Sequence, residues 1–192
     1  MKKIFKTITT VAATLCAVAT FTACEQANTC NYDEASNTLS CPDRVYKTAK
    51  IANKIWTAEN MAVYVPDSSS CYDNNHANCE STGRLYTWNA ANNNLCPTGW
   101  VLPTLEDYKA AFADKNADAL KDAAGFNLQF AGFKYYDGKF ADKDASASFW
   151  TSDKYDDSRA YLARVTDTRT TYEHYNKNIF ASVRCIKKQN YL

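Results

Sequence analysis

Residues 95–103 read "LCPTGWVLP", from Leu95 to Pro103, and place a cysteine, two prolines, a glycine and a tryptophan in nine positions. Such a stretch is a metal knuckle, a redox site or a structural corner. A knuckle or a redox motif needs a second cysteine two residues away. None follows Cys96, so the corner is the reading carried forward.

The flanks of the corner set the fold class. "LYTWNAA" (Leu85–Ala91) reads as a short helix that ends in the run Asn92-Asn93-Asn94. On the other side, "TLEDYKAAFAD" is the clearest helix of the chain. Thr104 is a good N-cap, Glu106 and Asp107 suit the positive end of the helix, and Leu105, Tyr108 and Phe112 share one face. Upstream, "VYKTAKIANKIWTAEN" is a hairpin turning at Ala52-Asn53-Lys54. Residues 61–83, with "CYDNNHANC", read as loop. Beyond Gly125 the texture is strand-like: "FNLQF" alternates apolar and polar, "YYDGKF" turns at Asp137-Gly138, and "SFWTS", "RAYLARV" and "FASVRCI" follow. A hairpin, two short helices and a series of antiparallel strands make an α+β domain, not the alternating units of a doubly wound sheet.

The amino terminus has the form of an export signal. Lys2, Lys3 and Lys6 precede a short apolar run, Ile8–Ala19, too brief to span a bilayer comfortably. "FTAC" (Phe21–Cys24) has the form of a lipobox, with Phe21 where leucine is usual. Residues 1–23 are therefore expected to be removed and Cys24 to carry lipid. Cleavage after Ala19, giving a secreted form, is the alternative. Residues 24–44, polar and Asn-rich, read as a tether, and residues 45–188 as the domain.

Three of the 22 basic residues and none of the 21 acidic ones lie in 1–23, which leaves a formal net charge of −2. A nucleic-acid partner would need a basic stripe and is excluded on this ground. Cys16 leaves with the signal. Cys30, Cys41, Cys71, Cys79, Cys96 and Cys185 remain, and in an exported chain they are expected to pair as disulfides.

Motifs for chemistry are sparse. His76 and His174 stand far apart in sequence, and no ligand cluster suggests zinc. Asp73 to Asn75 offer hard oxygens, but the spacing is that of a polar turn more than of a calcium loop. No metal or cofactor is expected. Glu59, Glu106 or a pair of aspartates are general acids or bases only if they share a cleft. Tyr135, Tyr136, Trp150 and Tyr155 are the candidates for ligand stacking, since their rings combine flat apolar faces with polar tips. Packing in the core is the competing use of the same side chains.

Several segments, "YKTAKIANKIWTAEN", "CYDNNHANCESTGRLYTWNAA", "LCPTGWVLPTLEDY", "AGFKYYDGKF", "SFWTSD" and "FASVRCIKK", resemble in order the Fibrobacter succinogenes major paralogous domain, from Val45 to about Lys188. Ala52 stands where that family usually has glycine, and Val101 where histidine is common. The resemblance implies a C-type lectin-like fold, shared with formylglycine-generating enzymes. The chain lacks the Glu-Pro-Asn and Trp-Asn-Asp calcium signatures of the former and the catalytic cysteine pair of the latter. By the same resemblance Cys96 pairs with Cys185 of the closing strand. Proximity in sequence favours Cys71 with Cys79, and Cys30 and Cys41 are left to each other, one of fifteen connectivities. The resemblance also implies a lipid-anchored protein of the cell envelope, in the outer membrane, that binds a glycan or a cell-surface protein without catalysis. An enzyme of the same fold with an unrecognised site is the alternative.

Overall fold

A computed structural model describes residues 29–189. The signal segment 1–23 and Cys24 lie outside the described residues. The domain is α+β: two antiparallel-dominated sheets with short helices between their strands.

The first sheet contains β1 (Asn31–Asp33), β2 (Thr38–Ser40), β3 (Val45–Ile51), β4 (Lys54–Thr57), β7 (Trp100–Val101) and β13 (Ile186–Lys187). Its order is β1-β2-β3-β4-β13-β7, so the last strand of the chain lies between two early ones. The second sheet holds β8 (Ala131–Lys134), β9 (Phe140–Lys143), β10 (Ser146–Lys154), β11 (Arg159–Thr166) and β12 (Thr170–Asn176), ordered β12-β11-β10-β8-β9. A two-stranded ribbon pairs β5 (Ser69–Ser70) with β6 (Leu85–Tyr86).

The hairpin at Ala52-Asn53 forms as read: Ile51 pairs with Lys54, and the two turn residues adopt φ of 47° and 62°. That is the left-handed two-residue turn that matches strand twist. Asn tolerates it, whereas Ala52 pays a steric penalty at its Cβ.

The segment read as a tether is, from residue 29 on, part of the domain. β1 and β2 form a hairpin closed by the Cys30–Cys41 disulfide, and β2 pairs with β3. Leu39 is fully buried, and the Tyr32 ring meets Trp100 edge-on at 5.7 Å. Two apolar side chains and one cross-link suffice to dock a chain whose composition is otherwise that of a linker.

Among the described residues four α-helices form rather than two: α1 (His76–Thr82), α2 (Trp88–Asn92), α3 (Leu105–Phe112) and α4 (Ala117–Leu120). The first lies inside "CYDNNHANC", which reads as loop because it has no apolar period. Local devices hold it instead: Asn75 accepts from the Ala77 amide, and Cys79 is tied to Cys71. α3 begins at Thr104 in a reciprocal capping box with Asp107, whose carboxylate also pairs with Lys54 at 2.5 Å. α4 is a single turn capped by Asn116.

"FNLQF" is not a strand. Its alternation is genuine, since Phe126 and Leu128 are buried, but the Phe126 and Asn127 carbonyls accept from the Arg184 guanidinium at 2.9 and 3.1 Å. The backbone acceptors that would make a ladder are thus taken by a side chain. Of "FASVRCI" only Ile186 enters a strand; residues 180–182 make isolated bridges to Lys134, Tyr86 and Phe149. β12, with its polar sequence TTYEHYN, carries no alternation that would have announced it.

The third disulfide joins Cys96 at the corner to Cys185, 89 residues on, with Cα atoms 5.7 Å apart. Cys185 is fully buried and belongs to the core of Trp88, Trp100 and Trp150.

Two stability outcomes follow from this architecture. Replacing both Cys96 and Cys185 by Ala should lower the unfolding free energy by about 4–5 kcal/mol, the loop-closure value for a span of this length. Ala52→Gly should raise it by about 0.5–1 kcal/mol, because relief of the left-handed strain exceeds the added freedom of the unfolded chain. Urea unfolding under oxidising conditions measures both.

Candidate binding site

α2 organises the most built surface of the molecule. Thr87 caps it by accepting from the Ala90 amide, while Trp88 and Ala91 face the core. The Trp88 indole donates to the Thr151 carbonyl at 2.8 Å, and its backbone amide donates to the Lys177 carbonyl at 3.0 Å. The helix is thereby pinned to the β10 end of the second sheet. Asn94 takes φ of 61°, a left-handed conformation that Asn adopts more readily than most residues, and turns the chain toward buried Leu95 and the Cys96 corner. Asn89, Asn92 and Asn93 are left on the outward side, exposed.

Two depressions flank this helix, and Asn94 walls both. One, of about 390 Å³, lies toward the corner, between Asn92 and Trp100–Leu102, with Ser152 and Lys188 at its margin. The other, of about 520 Å³, lies between Asn89, Asn93 and the segment Val63–Pro66, and no charged side chain lines it. Both volumes fall in the range of small-ligand sites, about 300–1,000 Å³.

The opposite wall is held rigidly. The Tyr86 hydroxyl donates to the Val63 carbonyl at 2.8 Å, and burial pushes that hydroxyl well above its ordinary pKa, so it remains a donor. Ser69 Oγ accepts from the Val65 amide and donates to the Val65 carbonyl, at 2.9 and 2.8 Å. Tyr64 stands on this wall, 65 % exposed, with the Arg84 guanidinium 5.0 Å from its ring centroid. Arg84 itself is anchored through Nε to the Ala62 carbonyl at 3.1 Å.

The aromatic candidates read from the sequence divide. Trp150 is no ligand contact: it is fully buried, and its indole donates to the Tyr86 carbonyl at 2.8 Å. Its position in β10, paired with Leu162, turns it into the core. Tyr135 and Tyr136 are exposed at the β8–β9 turn, and Tyr155 at the β10–β11 turn. Because β8 and β10 run parallel, both turns emerge at one end of the sheet. Their contacts remain separate, however. Tyr135 packs on Phe133, whereas Tyr155 stacks on His174 at 3.7 Å, with Arg159 4.6 Å from its ring.

The acids have structural partners. Glu59 accepts from the Lys47 amide at 3.0 Å and Glu106 pairs with Lys109 at 2.7 Å, and neither lines the α2 depressions. Asp153 accepts from the Leu105 amide at the start of α3. Hydrogen bonds from the Thr171 hydroxyl and, more weakly, the Tyr175 hydroxyl hold the Glu173 carboxyl below its usual range despite partial burial. His76 faces Glu80 on α1, remote in its contacts from His174. Beside the Asp73–Asn75 turn, Ser70 Oγ donates to Asn74 Oδ1 at 3.3 Å and accepts from the Lys134 ammonium at 3.4 Å. Among the described residues no three His, Cys, Asp or Glu side chains are grouped to hold a metal ion.

The sequence profile of the Fibrobacter succinogenes major domain matches residues 49–116 and 110–187. The chain belongs to this family. No curated protein and no solved structure matches it. In this Fibrobacter succinogenes major domain the two matched stretches fold as one unit, because β13 from the second lies between β4 and β7 from the first. The α2 site is built from the first stretch, with Ser152 and Lys188 the two residues that lie outside it.

Sequence reasoning missed Tyr64 and the amides of α2. The Asn92–Asn94 run was visible, but its evident use is to end a helix, and Tyr64 sits in a stretch with no periodicity to orient it. The core and surface aromatics are distinguishable by stability. Trp150→Ala should cost about 3–5 kcal/mol, and Tyr155→Ala less than about 1 kcal/mol, in parallel urea titrations.

Proposed function

We propose that this chain is an exported, lipid-anchored module of the bacterial cell envelope that attaches to a glycan or protein through the surface around α2. The observation that carries the reading is the pair of depressions meeting at Asn94, set between a rigid loop and a pinned helix. A preformed concave surface loses little ordering entropy when it binds. The acids that would serve catalysis are instead committed to helix starts, backbone amides and ion pairs, which favours binding over chemistry. A C-type lectin-like arrangement belongs to the same proposal. It is supported by the corner cysteine joined to the closing strand and by the long, loop-rich insertion between β4 and β7.

The lipid anchor is supported by "FTAC" after the apolar run, and Glu25, in place of the aspartate associated with inner-membrane retention, favours the outer membrane. Binding and anchoring are tested separately. Labelling cells with a fatty-acid probe should mark the wild type and leave Cys24→Ala unmarked; equal labelling removes the anchor. The mature chain, purified in detergent, should be retained on isolated bacterial envelope material, and a bulky substitution in the depression, Ala90→Trp, should reduce retention at least about tenfold. Retention unchanged by Ala90→Trp would move the binding surface elsewhere.

A further inference from the structure

We infer that the depression between Asn89, Asn93 and Val63–Pro66 takes an uncharged glycan, with a sugar ring laid against Tyr64; this rests on the binding-module reading above.

The lining chooses the ligand class. No acid or base lines this depression, and the neighbouring Arg84 is committed to the Tyr64 ring and the Ala62 carbonyl. A uronate, sulfate or ammonium group seated among Asn89, Asn93 and Val63–Pro66 would therefore be desolvated there without a paired counter-charge. Neutral hydroxyls meet the opposite situation. Asn89 and Asn93 are exposed, and their side-chain amides hydrogen-bond to no described protein group. An amide presents donors and an acceptor side by side, which suits hydroxyls that both give and take a hydrogen bond.

The apolar part has the matching shape. Val63, Val65, Pro66 and Leu95 supply a nonpolar floor, and the Tyr64 ring rises at the rim. A pyranose has an apolar C–H face and a polar perimeter, and that pairing of surfaces is what an exposed tyrosine beside amides offers. Arg84 against the ring fixes its orientation in advance.

A peptide strand is the less favoured occupant. Adding a strand requires unpaired backbone groups along the edge. Here the Val63 carbonyl is taken by Tyr86, and both the amide and the carbonyl of Val65 are bonded to Ser69, with Ser68 donating to the same carbonyl at 3.3 Å. The wall that a peptide would have to pair with is already satisfied.

The mature chain is titrated calorimetrically with neutral hexose oligosaccharides of about four to six residues and, in parallel, with uronate-containing and sulfated oligosaccharides of like length. Neutral members should bind, with affinity changing less than about twofold between 50 and 500 mM salt, since no ion pair is formed. Tyr64→Ala should weaken binding at least about tenfold and Asn93→Ala about fivefold, while Tyr136→Ala leaves it unchanged. Tyr64→Ala should keep the wild-type urea midpoint, which separates lost binding from lost folding. Exclusive binding of charged oligosaccharides, steep salt dependence, or neutral binding indifferent to Tyr64 and Asn93 overturns the inference. If envelope material is retained through the depression but no neutral oligosaccharide binds or competes, the glycan assignment falls and the binding-module reading stands. If nothing is retained, the broader reading falls with it.

Discussion

A fully buried cation ties the first sheet to the segment that leads into the second. Arg184 is fully buried, and its guanidinium donates to Asn60 Oδ1, the Thr57 carbonyl and the carbonyls of Phe126 and Asn127, at 2.6–3.1 Å. Among the described residues no carboxylate forms an ion pair with it, although Glu59 acts on it through space; the rings of Phe126 and Phe149 lie 4.6 and 5.7 Å from its centre. Burial lowers the guanidinium to about 9, and at neutral pH it keeps its charge. A charge in such a place is tolerable only while its donors are matched, and breaking the set strands a cation and several carbonyls together. The neighbouring Cys185 adds the disulfide to Cys96 and exchanges hydrogen bonds with Thr57 through both its amide and its carbonyl. Residues 184 and 185 thus bind the start, the middle and the end of the domain at one point.

That point is connected to the candidate site by a short chain of bonds. Asn60 accepts from Arg184 and donates to the Thr82 carbonyl at 2.8 Å, at the end of α1. Gly83 follows with φ of 77°, and a side chain there would strike Asn60 and the Met61 carbonyl. Only glycine lets the chain pass so close to Asn60 and turn toward Arg84. The Arg84 amide then donates to Met61 and its side chain to Ala62, which sets the guanidinium against Tyr64. From the other side, the Cys96 corner sets the end of the Asn92–Asn94 run. Both walls of the depression are therefore positioned from the core, although neither is part of it.

The same logic explains where the sequence reading and the structure part. The β3–β4 hairpin, α3 and the β10–β11 hairpin rest on local rules: turn residues between apolar runs, a capping box, and strand-leaning runs such as SFWTS and RAYLARV. They were legible for that reason. "FNLQF" shows the limit, since its burial pattern was right and its backbone bonding was not. Arg184, 58 residues away, supplies the partner that decides it. The β1–β2 hairpin shows the converse, because buried Leu39, the half-buried Tyr32 ring and a disulfide overrule a composition that reads as a linker.

From the sequence alone came the α+β class and, through six ordered segments, the family. Each rests on composition, short-range periodicity or motif order, all of which are properties of the chain before it folds. Tertiary structure decided that Trp150 is core, that Glu59 meets the Lys47 amide and Glu106 meets Lys109, and that Tyr64 and the amides of Asn89 and Asn93 line one depression. Residues 64 and 93 share no element and no period. They meet because a buried arginine and a cross-link 89 residues long bring distant segments to one place, and such placement follows from packing and bonding that no local pattern encodes.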